Sequence, residues 1–141
     1  MINDRELIKN ALEAQKQSYS PYSNFSVGAA LLTESNKIFK GCNVENAAFT
    51  PTNCAERTAF FKAISEGERK FKAIAIVGGR LGEKKKVAEE FCSPCGVCLQ
   101  VMIEFCDKET FEIIVAKNVQ EYESYKLKDL LPVSFGEKFL K

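Results

Sequence analysis

The most restrictive feature of this 141-residue chain is a set of three cysteines in a sequence that has no histidine. Cys54 lies in Asn53-Cys54-Ala55-Glu56-Arg57-Thr58-Ala59. Cys95 and Cys98 close the run Ser93-Pro94-Cys95-Gly96-Val97-Cys98. Zinc accepts thiolate, imidazole and carboxylate ligands, and a catalytic zinc uses three protein ligands and leaves the fourth place to water. Without histidine, a transition-metal site here has to lean on thiolates. The Cys95/Cys98 spacing lets both sulfurs at the start of one helix point to one centre. Pro94 suits a helix entry, and the N–H groups exposed there favour thiolate over thiol. Cys54 supplies a third sulfur from a second helix start. A fold that honours this arrangement must bring two helix N-termini together. Glu56 then sits near the metal without being needed as a ligand. That is the place for a carboxylate that moves protons to and from water in the open position.

A ligand-x-Glu followed by Pro-Cys-x-x-Cys is the known signature of zinc deaminases. The chain resembles the small cytidine deaminases in their three-cysteine form. The likeness runs from Tyr19-Ser20-Pro21-Tyr22-Ser23 through Gly41-Cys42-Asn43-Val44-Glu45-Asn46-Ala47-Ala48 to Leu130-Leu131-Pro132. A Cys-x-x-Cys alone is a weak signal; three separated segments in the right order are a strong one.

Length and composition are compatible with that resemblance. The chain fits one domain, residues 1–141, long enough to bury a core without disulfide staples. Twenty basic residues against nineteen acidic leave a formal charge of +1, so nothing suggests a nucleic-acid or anionic-membrane partner. Asp4, Arg5, Glu6, Lys9, Glu13 and Lys16 interrupt any apolar signal region, and no run approaches membrane-spanning length. The expected compartment is the cytoplasm, where six cysteines are more readily thiols or metal ligands than disulfides.

In chain order, residues 3 to 18 read as an amphipathic helix capped by Asn3, with Leu7, Ile8, Ala11, Leu12 and Ala14 as its apolar stripe. Residues 25–33 and 38–44 read as a hairpin across the polar turn Glu34-Ser35-Asn36-Lys37. Asn53 is expected to cap a helix from about Cys54, with Ala59, Phe60, Phe61, Ala63 and Ile64 inward and Gly67 at its end. Residues 71–78 form an apolar strand covered on both faces. The stretch 79–93 reads as solvated loop or surface helix, and it is several residues longer than in the family. A helix over 95–106 turns Val97, Val101, Met102 and Phe105 inward. Strands at 111–116 and 122–127 and a helical turn before Pro132 complete the chain. The succession implies a three-layer α/β domain with a mixed sheet and helices on both faces. The resemblance adds the cytidine-deaminase-like strand order 2-1-3-4-5.

The resemblance also assigns roles. Glu56 is the catalytic acid–base, and Cys54, Cys95 and Cys98 hold one zinc ion. Asn43 and Glu45 hydrogen-bond the ribose; two apart on an extended segment, they face the same side. Phe25 stacks on the base, and the Ala55 N–H meets the pyrimidine carbonyl. Phe135 reaches a neighbouring subunit's site, within a homotetramer. Three thiolates leave zinc with an excess of negative charge, and Arg57 is placed to draw it off by hydrogen-bonding sulfur. The family commonly has Arg-Gln after the last cysteine where this chain has Leu99-Gln100, so Arg57 is the sole nearby arginine in sequence. Cys42, Cys92 and Cys106 read as small hydrophobes. The expected reaction is hydrolytic deamination of cytidine and deoxycytidine, a step of pyrimidine salvage. A blasticidin-type aminonucleoside deaminase shares the zinc segments. More distant are a thiol-disulfide oxidoreductase on Cys95/Cys98, and a binding module whose structural zinc takes Cys42 as fourth ligand.

Overall fold

The computed structural model describes residues 1–80 and 91–141. Its helices are α1 (Asp4–Gln15), α2 (Ala55–Ser65), α3 (Gly96–Phe105) and the short α4 (Leu127–Leu130). Its strands are β1 (Phe25–Thr33), β2 (Ile38–Cys42), β3 (Phe71–Arg80), β4 (Glu112–Ala116) and β5 (Tyr122–Lys126). They form one sheet in the order β2-β1-β3-β4-β5. The β3–β4 pair is parallel and the others are antiparallel, so the sheet is mixed as expected. Most of the 79–93 stretch falls outside the described residues. Gly79 and Arg80 are not loop but the end of β3.

Alternation along the strands sorts the core into two halves. Leu31 of β1, Ile74 and Ile76 of β3 and Ile113 and Val115 of β4 share one cluster with Phe60 of α2 and Met102 of α3. Ala30, Ala73, Ala75, Val77 and Ile114 join Leu7, Ile8 and Ala11 of α1 in the other. The expected three layers are therefore present. Because β3 is buried on both faces, its near-continuous apolar run is accounted for.

Helix ends depart from expectation in informative ways. Cys54, not Asn53, is the N-cap of α2, and Cys95 is the N-cap of α3. In α3, Cys98, Leu99 and Met102 are buried and Val97 is exposed. The first turn is oriented by Cys98 pointing inward, which turns Val97 to solvent. Phe61 of α2 is likewise exposed, because Phe60 takes the core direction. Gly67 does end α2. It adopts φ +98°, and the N–H groups of Gly67 and Glu68 bond the carbonyls of Ile64 and Ala63.

Candidate metal centre and its cavity

Two features set the start of α2 against the sheet. Gly41 of β2 leaves room for the helix backbone, since a Cβ there would lie 2.5 Å from both the Ala55 carbonyl oxygen and the Ala59 nitrogen. The second feature is a small ladder outside the main sheet. Val44 exchanges hydrogen bonds with Asn53 at 3.0 and 2.9 Å. Tyr19 donates to Asn43 O at 3.0 Å, and Glu45 donates to Tyr19 O at 2.8 Å. The segment carrying Asn43 and Glu45 is thus joined edge to edge with the residue preceding Cys54.

The sulfurs of Cys54, Cys95 and Cys98 lie within 4.8 Å of one another. Around a tetrahedral zinc with bonds of about 2.3 Å, thiolate sulfurs stand roughly 3.8 Å apart, so small rotations of the side chains close the set. Cys42 is not in this cluster; it lines a separate depression beside Lys40 and Lys62, and among the described residues no fourth cysteine joins the three sulfurs. The donor set therefore fits zinc with one place left open.

Electrostatics favour cation binding. A hydrogen bond from the Cys98 thiol and another from Arg57 acidify the Cys54 thiol to about 5. Cys98, which holds the shared proton beside that charge, is raised correspondingly. Binding a divalent cation would release that proton and replace it as the link between the sulfurs. Arg57 Nη2 donates to Cys54 Sγ at 3.3 Å, which is the contact expected of it. Its Nε is buried and has no hydrogen-bond partner among the described residues. Leu99, where a second arginine is common in the family, packs into the core at 8% exposure.

Glu56 is 4% exposed, and burial pushes its carboxyl up to about 7. It lies in the first turn of α2, where the helix dipole favours a carboxylate. Desolvation overrides that preference, and the result is a group that can take or give a proton near neutrality. Glu56 lines a cavity of about 180 Å³ together with Cys54, Cys95, Ala55, Asn43 and Glu45.

Asn43 and Glu45 reach this cavity while also holding its wall. Asn43 Oδ1 accepts from Val27 N at 2.9 Å and Ser18 Oγ at 2.6 Å, and Nδ2 donates to Phe25 O at 2.8 Å. One amide hydrogen stays available for a ligand. Glu45 Oε1 accepts from the N–H groups of Tyr22 and Ser23 at 2.9 and 3.1 Å, and Oε2 accepts from the Ser23 hydroxyl. That hydroxyl, followed by the two N–H groups, holds the Glu45 carboxyl below the usual range. Phe25 stands just outside the cavity lining, at the start of β1 on the same face as Val27, which lines it. Phe135 does not line the cavity of its own chain. It is 55% exposed and stacks on Phe139 with centroids 5.4 Å apart, while its carbonyl accepts from Gln100 of α3 at 2.9 Å.

Cys92 is the residue that sequence reasoning missed. Read as a small hydrophobe, it does pack against the larger core cluster, and it also lines the same cavity as Glu56. Its position three residues before Cys95 was the available hint.

A family model described as the cytidine and deoxycytidylate deaminase zinc-binding region matches residues 1–114. A cytidine deaminase of Sporosarcina psychrophila is 44% identical over 135 residues, covering 96% of this chain and 93% of the relative. One of Halalkalibacterium halodurans is also 44% identical, over 94% of each chain. The crystal structure of a Burkholderia pseudomallei cytidine deaminase superposes with a TM-score of 0.82 at 44% identity, covering 95% of this chain and all of the other. That of a Mycobacterium tuberculosis cytidine deaminase gives 0.79 at 34%, covering 96% and 99%.

Proposed function

The chain belongs to the cytidine and deoxycytidylate deaminase family, and from that premise we propose that it hydrolyses cytidine and deoxycytidine to uridine and deoxyuridine with release of ammonia. The observation that carries this is the convergence of three sulfurs, two of which, those of Cys54 and Cys95, belong to residues that line one cavity with the buried Glu56 carboxyl. Zinc held by Cys54, Cys95 and Cys98 supplies the Lewis acidity that makes water nucleophilic near neutral pH.

Glu56 accepts a proton from the attacking water and delivers it to N3 of the pyrimidine. The water oxygen bonds to C4, the C4–N bond breaks, and a second proton passed by Glu56 leaves with the amine as ammonia. A carboxyl near pH 7 suits both transfers, since it neither binds nor releases the proton too firmly. Arg57 draws negative charge from the Cys54 sulfur and so limits how far three thiolates weaken the metal as an acid. Ala55, at the first helical position of α2, has an N–H without an intrahelical acceptor, and it serves the pyrimidine carbonyl. The free hydrogen of Asn43 and the remaining lone pairs of Glu45 serve the ribose hydroxyl. Phe25 stacks on the base.

Residues 1–141 act as one domain, and the assembly is a homotetramer with Phe135 completing a neighbour's site. In support, Val133, Phe135, Phe139 and Leu140 form an exposed apolar C-terminal segment, tied to α3 through Gln100. The enzyme works in the cytoplasm in pyrimidine salvage. Among the described residues no helix is long and apolar enough to cross a membrane. A thiol-disulfide function would leave Cys54 and buried Glu56 without a task.

The test is an ultraviolet assay of zinc-loaded protein with cytidine, deoxycytidine, cytosine and CMP in parallel, beside light scattering for the assembly. Turnover of the two nucleosides only is expected. Turnover of none, by protein holding one zinc per chain, would defeat the assignment.

A further inference from the structure

We propose that Cys92, seated on the bare backbone of Gly78, is the specificity-determining wall of the cavity and limits which substituents are admitted at C5 of the pyrimidine. This rests on the deamination described above.

Along β3 the residues facing α2 and α3 are Ile74, Ile76 and then Gly78, which lies opposite Val27 of β1. The two isoleucines fill that face with side chains. At Gly78 the row stops, and the vacated volume is taken by two residues from elsewhere. A Cβ on Gly78 would lie 2.7 Å from Cys92 Sγ, 2.8 Å from Cys92 Cβ and 3.1 Å from Cε2 of Phe25. No side chain tolerates the first two distances, so glycine is what lets Cys92 sit so deep. Cys92 and the Phe25 ring therefore meet over Gly78. From that seat Cys92 lines the same cavity as Cys54, Cys95 and Glu56.

The chemistry orients the ring against this wall. C4 must face the three sulfurs, and its ring neighbours are N3 and C5. Glu56, on α2, serves N3. C5 is thereby turned away from α2, toward the segment that runs from Cys92 into α3. The cavity measures only about 180 Å³, so a group added at C5 meets the wall directly. Cys92 acts here by its size; its sulfur is outside the three-sulfur cluster.

The experiment compares kcat/KM for cytidine, 5-fluorocytidine, 5-methylcytidine and 5-ethylcytidine in zinc-loaded wild type, Cys92→Ala, Cys92→Leu and Gly78→Ala. Zinc content is measured on each preparation. In wild type, kcat/KM falls as the substituent grows. Cys92→Ala raises the 5-methylcytidine to cytidine ratio by roughly tenfold, the low end of what one methyl group is worth in a fitted pocket. Cys92→Leu lowers the ratio, and Gly78→Ala lowers it too by pushing Cys92 inward. The change appears mainly in KM for the substituted nucleosides, which a general loosening of the fold would not produce. A ratio unmoved in both Cys92 variants overturns the proposal. Should the variants fail to retain zinc, the wild-type series decides, and a flat response to substituent size overturns it equally. Failure to turn over cytidine itself is a different result, and it removes the deamination assignment.

Discussion

Three helices begin on nearly the same backbone and put it to different use. Asn3, Cys54 and Cys95 all stand at an N-cap in extended conformation, with φ of −98°, −79° and −81°. Asn3 Oδ1 accepts from Glu6 N at 2.9 Å and closes the first turn of α1. Neither cysteine makes a side-chain capping bond. Their side chains turn to each other instead. The first-turn glutamates differ in the same sense. Glu6 is exposed, while Glu56 is buried at a cost to its ionisation. Stability devices thus sit at the start of α1, and at α2 and α3 the equivalent positions are given to chemistry.

The contrast can be broken most sharply at the glutamates. Glu56→Ala should keep one zinc per chain and lose between about a hundredfold and ten-thousandfold in kcat. Glu6→Ala should leave kcat within twofold or so. Comparable losses in both would erase the distinction. Removing the metal comes next. At a free zinc concentration about a thousand times the dissociation constant, bound metal adds on the order of 4 kcal/mol, and a chelator should remove it. Hydrogen exchange should then rise at the starts of α2 and α3 ahead of α1, and uniform loss would argue that the halves are one unit.

A third effect concerns pH in metal-free protein. The Glu56 carboxyl rises from 4.5 to about 7 on folding, so the folded state holds its proton longer than the unfolded chain. The Glu56 contribution to stability is fully present below pH 4.5 and is lost as pH rises toward 7, while the acidified Cys54 thiol contributes with the opposite sign above about pH 5. The loss is on the order of 3 kcal/mol at about 1.4 kcal/mol per pKa unit. Glu56→Gln should remove this falling part, so that stability at pH 8 relative to pH 5 is higher by about that amount than in wild type, read in urea titrations at the two pH values. The smallest effects are at the caps. Asn3→Ala should cost about 1 kcal/mol with or without zinc. Cys54→Ser should abolish zinc uptake, while in metal-free protein the cap that serine supplies, roughly 0.5–1 kcal/mol, works against the loss of the thiolate held by Cys98 and Arg57. A net destabilisation of metal-free Cys54→Ser would show that these thiolate contacts outweigh the cap.

Much of the fold was legible because its signals are local. Strands β1 and β3 show as apolar runs, Gly67 marks an end by its left-handed φ, and Asn3 caps where it was expected to. The inward faces of the site helices were not. α3 reads Gly-Val-Cys-Leu-Gln-Val-Met-Ile-Glu-Phe, apolar nearly all round, so periodicity cannot say that Val97 points out and Leu99 in. Within the site, the ligand trio and Glu56 were visible from residue type and spacing. The second duties of Asn43 and Glu45, bracing β1 and the loop before it, were not visible, nor was Cys92 in the wall.

The residue string by itself determined the donor chemistry. With no histidine, a zinc site here had to lean on thiolates, and the Cys95/Cys98 spacing bound two of them to one turn of helix. Tertiary structure alone decided how closely Cys54 approaches them, that Glu56 loses its water, and that Cys92 comes to rest on Gly78. Those outcomes depend on distances between segments remote in sequence, and on burial, which belongs to the packed whole and to no residue taken singly.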